Sequence, residues 1–238
     1  MKLLWAIVAI GLAGCASSPV PPDWQINAHG ALKNSVTAYL VGNSKLATVE
    51  FSRVRVEIAS TGRADLLARA ELVRCAAQVA SLEFNNCEPF QALAKDAAAE
   101  ERAYAEYLAG RWTGLNTALL PAQHGAVVVG AGGALNTIED PLSRLVAAGA
   151  LLQTGRLTPD AIAVAIQTAS DQGWRRPLLA WLGVAARRAE QLDDKEEVSR
   201  IQRRIDLISG LWGARPLNRT ARDRYRCGIQ NGQWQHQS

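Results

Sequence analysis

The helical character of this chain is clearest in residues 140–198, DPLSRLVAAGALLQTGRLTPDAIAVAIQTASDQGWRRPLLAWLGVAARRAEQLDDKEEV. Three prolines in this stretch, Pro141, Pro159 and Pro177, stand 18 residues apart, and the next step of 18 falls on Lys195. Proline is well tolerated at the first position of a helix, because the N–H that it lacks would have no partner there. The spacing therefore predicts four helices of equal pitch, each beginning at one of these positions.

Capping residues support the same boundaries. Residues that commonly cap helix N-termini precede three of the four starts, namely Asp140, Thr158 and Asp194. Asp194 and Glu197 also resemble a capping box, in which the third helical residue bonds back to the cap. Glycines that end the intervening helices are Gly155 and Gly173. We therefore predict two antiparallel helical hairpins of about 36 residues each, twice the pitch, within residues 141–212.

This period is close to that of the tetratricopeptide repeat, which has about 34 residues. Trp181-Leu182-Gly183 resembles the W, L and G of the first helix of that repeat, and the turn Leu192-Asp193-Asp194 follows it. The resemblance implies an all-α fold of antiparallel helical hairpins, stacked as a tetratricopeptide-like α-solenoid. A plain helical bundle is the alternative that the residue pattern leaves open. Because repeat arrays need about three units, residues 23–110 would have to supply the others.

The first half of the chain, residues 23–110, is also predicted to be helical, since the chain is rich in alanine and contains only 6% aromatic residues. Residues 44–61 are ambiguous, because Val54, Val56 and Ile58 alternate as they would in a strand. Apolar residues in the same segment also share one helical face, and the segment is long for a strand. We therefore predict four helices, Asp23–Val41, Ser44–Thr61, Ala64–Phe84 and Pro89–Ala109.

A Gly-containing connection, residues 111–140, is predicted to join the two helical halves. Its segment Val127–Gly133 reads VVVGAGG and superficially resembles a strand that enters a dinucleotide-binding turn. That fingerprint requires a third glycine at a wider spacing and an acidic residue about 20 positions later. Gly133 comes too early, and the sequence from Ala150 is apolar. We therefore predict no cofactor at this segment.

Residues 1–15 have the layout of a secretory signal peptide, with Lys2 followed by an apolar run of about ten residues. A membrane-spanning helix needs roughly 20 apolar residues. Leu12-Ala13-Gly14-Cys15 resembles the lipobox of bacterial lipoproteins, which implies cleavage before Cys15, lipid on its thiol and a lipidated tether over residues 15–22. Ala16 after the cysteine favours the outer membrane by the sorting preference of enteric lipoproteins. An ordinary signal peptide with a chance cysteine, or an uncleaved anchor, is the alternative.

The remaining cysteines are Cys75, Cys87 and Cys227, a number that allows at most one intrachain disulfide. Cys75 with Cys87 is the most economical pair, because Cys87 follows a predicted helix end. Three free or buried thiols are the alternative. No pair has the CxxC spacing of a metal or redox site, and His29, His124 and His236 are far apart. We therefore predict no metal site and no catalytic site.

The C-terminal tail, residues 213–238, is basic. It holds a cluster of arginines against the lone acidic residue Asp223: Arg215, Arg219, Arg222, Arg224 and Arg226. Anionic lipid headgroups or cell-wall polymer are the partners that such a cluster would meet in the envelope. Nucleic acid is excluded by that compartment, and a solvated tail is the alternative.

Together these patterns predict a lipid-anchored lipoprotein of the cell envelope, facing the periplasm, whose helical body binds a protein of the envelope. A structural role through binding of cell wall or lipid by the tail is the first alternative. An enzyme acting on envelope polymer is the second, although no nucleophile, acid pair or oxyanion motif supports it.

Overall fold

A computed structural model describes residues 21–210 of the 238-residue chain, apart from the side chains of residues 131 and 132. These residues form an all-α fold and contain no strand, so the all-α prediction is confirmed, including a helix at the ambiguous segment 44–61. Short 3-10 segments span Thr117–Leu119 and Ala131–Thr137. The α-helices are α1 (Asp23–Leu40), α2 (Ser44–Ala59), α3 (Ala64–Ala80), α4 (Glu88–Gln91), α5 (Ala99–Leu108), α6 (Ala122–Gly130), α7 (Pro141–Gln153), α8 (Pro159–Asp171), α9 (Arg175–Gln191) and α10 (Lys195–Ile208).

The predicted N-caps are confirmed at all three positions. The side chain of Asp140 accepts a hydrogen bond from the backbone N–H of Ser143 at 2.6 Å, and Thr158 accepts one from Ala161 at 3.2 Å. Asp194 caps α10 in the same way. Each bond satisfies a backbone donor that the first turn of a helix leaves without an intrahelical partner.

Two details of the prediction for the second half, one helix start and one capping box, are wrong. The helix predicted from Pro177 begins two residues earlier, at Arg175, so Pro177 is the third residue of α9. This position still lies in the first turn, where a missing N–H costs no helical hydrogen bond. The capping box at α10 is also incomplete, because the carboxylate of Glu197 accepts hydrogen bonds from Arg200 at 2.6 and 2.7 Å.

The last two helices predicted for the first half differ from the structure, one at its C-terminal end and one by a break. The third helix ends at Ala80 and not at Phe84, because Leu82 adopts a left-handed backbone with φ of 62°. The helix predicted over 89–109 is two helices, α4 and α5, separated by residues 92–98.

Long-range contacts explain the break between α4 and α5. The carboxylate of Glu101 accepts a hydrogen bond from the backbone N–H of Ala98 at 2.6 Å, and it also pairs with Arg69 of α3 at 2.6 Å. These bonds place a new helix start at residue 99, inside an alanine-rich stretch whose local propensity favours one continuous helix. Phe90 in α4 is 1% exposed and Ala97 within the break is 5% exposed, so both are buried.

The predicted connection, residues 111–140, is largely helical. It contains α6 and both 3-10 segments, and Val127 at the centre of α6 is fully buried. Leu135 and Ile138 add two further buried side chains after the glycines. The connection is therefore part of the packed body.

One hydrophobic core runs from Ala68 in α3 to Ile201 in α10, so both halves of the chain contribute to it. Helices α7 to α10 pack against one another in chain order, and α3 packs on α7. At that crossing Gly149 of α7 is so close to α3 that a Cβ atom would stand 2.3 Å from the carbonyl oxygen of Val79. Trp181, fully buried in α9, donates its indole N–H to the carbonyl of Ala80 at 3.1 Å. This arrangement fits a helical bundle or a repeat fold.

The hairpin of α1 and α2 packs on the edge of this array over a smaller apolar cluster centred on Phe51 and Val54. Arg176 of α9 binds the hairpin through its guanidinium, which donates to the carbonyl of Tyr39 at 2.8 Å and to the hydroxyl of Ser44 at 2.5 Å. The same group pairs with Glu83 at 3.1 Å and stacks over the Tyr39 ring. One arginine therefore joins α1, α2, the end of α3 and α9.

Candidate functional site: a groove beside α4 and α5

The structure contains an open groove of about 400 Å³ between α4–α5 and residues 113–119. Its apolar side chains are those of Phe90, Ala94, Ala99, Ala103, Leu115 and Leu119. Six polar or charged residues also line it: Gln91, Arg102, Glu106, Arg111, Thr113 and Asn116. The volume lies within the range of about 300–1,000 Å³ that is usual for ligand sites. A smaller recess of about 300 Å³, lined mainly by polar and charged residues, lies at the α9–α10 turn.

The α4 wall is held in place by a disulfide. Cys75 of α3 and Cys87, the residue before α4, are bonded, with Cα atoms 5.4 Å apart. The side chain of Asn85 accepts a hydrogen bond from the backbone N–H of Cys87 at 3.1 Å, which shapes the turn. Three residues later Phe90 enters the core and forms part of the groove wall.

The opposite wall is supported by stacked aromatic rings. Trp112 donates its indole N–H to the carbonyl of Tyr107 at 3.0 Å, and the two rings stack with centroids 5.3 Å apart. The guanidinium of Arg156 lies over the Trp112 ring, 5.2 Å from its centroid. Asn116 caps the following 3-10 segment through Ala118. These contacts within the protein hold this wall of the groove in place.

Two arginines give the groove a charged side. Arg111 binds Glu106 in a two-point ion pair with distances of 2.5 and 2.8 Å, and the hydrogen bonds from Arg111 lower the pKa of the Glu106 carboxyl. Arg102 donates to the backbone carbonyl of Ala97. Within residues 21–210, Arg102 forms no ion pair with a carboxylate. Its exposed guanidinium therefore offers donors to an anionic group in the groove.

A second polar cluster lies behind this wall and is buried. His124 of α6 is 2% exposed, and its Nδ1 atom lies 3.1 Å from the hydroxyl oxygen of Tyr107. Burial lowers the pKa of His124 to about 4, so the ring is neutral at pH 7. The rings of Tyr104 and Tyr107 pack on it at centroid distances of 5.4 and 4.9 Å. We interpret this cluster as a structural support of α5 and α6.

The other residues selected from the sequence are distributed as follows. His29 lies exposed on α1, far along the chain from the groove. Cys15, for which lipidation is predicted, lies outside the described residues, as do Cys227 and His236. The tail arginines also lie outside them: Arg215, Arg219, Arg222, Arg224 and Arg226. Within the described part of the chain, no cluster of three metal-binding side chains occurs. No helix there combines the length and the hydropathy needed to cross a bilayer.

Sequence reasoning missed the groove and its arginine. One signal in the sequence points to it: residues 112–138 contain no Asp, Glu, Lys or Arg, although 20% of the chain is charged. This charge-free run supplies one wall of the groove and the whole of α6. The opposite wall depends on the position of α4, which follows from tertiary contacts.

Comparison of the chain with protein-family models, with curated proteins and with solved structures gave no match.

Proposed function

We propose that this chain is a lipid-anchored lipoprotein of the cell envelope, held on the periplasmic face of the outer membrane, whose helical body docks a partner protein. The groove between α4–α5 and residues 113–119 is the proposed docking site. The observation that carries the docking proposal is the groove itself, with apolar residues in its walls and Arg102 at its side.

The disulfide supports export. Structural disulfides persist in oxidising compartments and are rare in the reducing cytosol. The bond between Cys75 and Cys87 therefore agrees with the signal peptide and the Leu12-Ala13-Gly14-Cys15 motif, although it is independent of both. Two acyl chains would hold the protein stably, since each buried methylene adds about 0.8 kcal/mol.

The groove favours a protein segment with an apolar side chain beside a carboxylate. The partly exposed side chains of Leu115 and Leu119 provide apolar contact, while Arg102 provides a cation whose geometry suits a carboxylate. Exposed apolar surface of this kind commonly marks interaction sites. The lining contains no histidine, cysteine or serine, so the arrangement supplies shape and charge for binding.

The anchor is tested on the protein made in bacterial cells. Metabolic labelling with palmitate and mass spectrometry of the N-terminal peptide should show acylation of Cys15, and a Cys15→Ala variant should lose it and leave the membrane fraction. An unmodified cysteine in the mature protein would overturn this part of the proposal.

Docking is tested by photocrosslinking in cells. A photoreactive residue at Leu115 should give a discrete crosslinked species, and the same residue at Leu192, an exposed leucine outside the groove, should not. Arg102→Glu should abolish the crosslink at Leu115, while Arg187→Glu, a matched change on an exposed part of α9, should leave it intact. Equal crosslinking from both leucines, or persistence in Arg102→Glu, would refute docking at this site.

A second candidate function is binding of cell wall or anionic lipid through the tail, and the charge distribution favours it. Of the 26 Lys and Arg residues, Lys2 and five tail arginines lie outside residues 21–210, which leaves 20 against 21 Asp and Glu there (22 less Asp223). The excess positive charge is therefore concentrated in the tail. Truncation after Leu211 should abolish co-sedimentation with purified cell wall, and unchanged sedimentation would exclude cell-wall binding by the tail.

A further inference from the structure

Helix α2 carries two apolar stripes, and only one of them is buried. The inward stripe packs on α1 and α3 and is 0–7% exposed: Ala47, Phe51, Val54 and Ile58. The outward stripe contains Leu46, Val49 and Val56, with exposures of 44%, 52% and 71%. Together with Arg53, these outward residues follow one another at steps of three, four and three, so they lie on one side of the helix. This spacing is typical of a helix that pairs with another helix.

The charges on this outward side are balanced. Its cations are Lys45 and Arg53; Glu57 lies on the same side, and Glu50 pairs with Arg53 at 3.1 Å. Lys45 and Glu57 stand at opposite ends of the stripe, and neither forms an ion pair within residues 21–210. A neutral side with opposite charges at its two ends can be complementary to a second copy of itself.

The outward residues are arranged symmetrically about position 51. Three pairs are equidistant from it: Lys45 with Glu57, Leu46 with Val56, and Val49 with Arg53. A second α2 can therefore lie antiparallel on the first, with the two positions 51 level. Leu46 of each copy then stands beside Val56 of the other, and Val49 beside the aliphatic stem of Arg53. A twofold axis relates the two copies, so every contact occurs twice.

Charge favours this orientation over the parallel one. In the antiparallel pair, Lys45 of each copy stands level with Glu57 of the other, at the two ends of the contact. In a parallel pair Lys45 would face Lys45 and Glu57 would face Glu57, which is repulsive. Arg53 faces an apolar residue in the antiparallel pair, and its charge is already balanced by Glu50. The side is therefore complementary to itself in the antiparallel orientation.

The start of α1 extends this surface. Ser35 of α1 donates a 2.8 Å hydrogen bond to the carbonyl of Ala47 of α2, and the two helices form an antiparallel hairpin. Ile26, nine residues before Ser35, therefore lies level with Val56, nine residues after Ala47. Ile26 is also exposed, at 52%. Apolar surface on α1 thus continues the exposed end of the α2 stripe.

We propose that the chain pairs with a second copy of itself through the outward sides of two antiparallel α2 helices. Such a contact is smaller than the roughly 800 Å² per partner of a typical stable complex, so the dimer is weak and forms where copies are concentrated. In this respect the inference rests on the lipid anchor of the proposed function, which would confine the copies to one membrane and raise their local concentration. Helix α2 contributes no residue to the groove lining, so pairing and docking use different residues.

Cysteine crosslinking of the full chain in bacterial cells tests this register. Two copies with different tags are co-expressed, one carrying Leu46→Cys and the other Val56→Cys, both in a Cys227→Ser background. Cys75 and Cys87 are joined to each other and do not interfere. Mild oxidation should give a mixed dimer that joins position 46 of one copy to position 56 of the other. Both positions are exposed, so neither substitution disturbs the core.

Three controls separate this pairing from chance collision. Leu46→Cys expressed alone should give almost no dimer, because the two positions 46 would be ten residues, about 15 Å, apart along the helices. A disulfide requires Cα atoms within about 7 Å. Val56→Cys alone should behave in the same way. Leu192→Cys, an exposed apolar position in the turn after α9, should crosslink with neither.

Charge reversal tests the ends of the contact. Lys45→Glu in both copies should lower the yield of the mixed crosslink about fivefold, the effect expected for two exposed ion pairs. Lys45→Glu together with Glu57→Lys should restore the yield, because the reversed charges are again complementary. Lys33→Glu, an equal change at an exposed position of α1, should leave the yield unchanged.

Several results would overturn the antiparallel pairing. One is the absence of a mixed crosslink, which would leave the outward side of α2 to another occupant. Others are a crosslink between two positions 46 of equal yield, an equal yield at position 192, and failure of the double charge reversal to restore the mixed dimer.

Mass spectrometry of the same cells separates this inference from the proposed function. If Cys15 is acylated but no mixed crosslink forms, only the pairing fails and the lipoprotein assignment stands. If the mixed crosslink forms although Cys15 carries no lipid, the pairing stands and the lipoprotein assignment fails.

Discussion

Replacement of Gly149 by alanine probes the crossing of α3 and α7, the contact that joins the two halves of the core. A Cβ atom added at Gly149 would lie 2.3 Å from the carbonyl oxygen of Val79 and 3.0 Å from its Cγ1 atom. An ordinary carbon–oxygen contact is longer by about 1 Å. The closer partner is a backbone oxygen in a packed helix and cannot rotate away, so the helices must separate.

The expected cost follows from two opposing effects. Overpacking of a core by a single carbon typically costs about 1–3 kcal/mol, and a backbone obstacle places this case at the upper end. Alanine regains about 1 kcal/mol of helix propensity relative to glycine. The net expectation for Gly149→Ala is a loss of about 2 kcal/mol, which lowers the melting temperature by about 4–8 °C in a chain of this size.

Gly30 in α1 provides the matched control, because a Cβ atom there meets nothing within 4 Å. Gly30→Ala should therefore gain up to about 1 kcal/mol. Thermal and urea unfolding of both variants, followed by circular dichroism, measures the two changes. The proposed helix crossing would be refuted if Gly149→Ala were as stable as the wild type, or if both variants shifted in the same direction.

Three further predictions concern buried or linking groups. His124 has a pKa of about 4 in the folded state, against about 6.5 in the unfolded chain, so between pH 6.5 and 4 only the unfolded chain gains a proton. The free energy of unfolding, measured in urea titrations, should therefore fall by about 3 kcal/mol over this range. The fall should be absent in His124→Gln but present in His29→Gln. Arg176→Ala should cost about 2 kcal/mol and accelerate hydrogen exchange in α1 and α2, whereas Arg187→Ala should leave exchange there unchanged. Loss of the disulfide in Cys75→Ser should cost about 2–4 kcal/mol in the same urea assay, and a loss below 1 kcal/mol would contradict its role in holding α4.

The helices of the second half were predictable because their signals are local. A cap such as Asp140 acts on the N–H three residues away, and Gly155 supplies the left-handed residue that ends its own helix. Both effects depend only on neighbours in the chain, so they can be recognised without knowledge of the fold.

The break between α4 and α5 was not predictable in this way. It depends on Glu101, which binds Ala98 locally but is also held by Arg69, 32 residues earlier in the chain. Local propensity favours one helix through this alanine-rich stretch, and the tertiary ion pair favours two. The groove could not be predicted from local propensity for the same reason, since two of its lining residues, Phe90 and Ala99, lie on opposite sides of the break.

The turn that follows α3, at Leu82 and Glu83, shows a related effect. Leu82 is left-handed, a conformation that glycine or asparagine normally supplies, so no residue type marks the end of α3. The turn is stabilised from outside by Arg176, which binds Glu83. Contacts of this kind, with a residue 93 positions later in the chain, are not visible in the sequence of the helix itself.

The bond between Cys75 and Cys87 also has a consequence for the timing of maturation. If the chain is exported as proposed, its precursor is first in a reducing cytosol, where this crosslink would not persist and the α4 wall would lack its covalent support. We therefore expect the newly made precursor to bind its partner more weakly than the oxidised protein. Oxidation would then activate the docking groove after translocation, and the precursor would be protected from premature assembly.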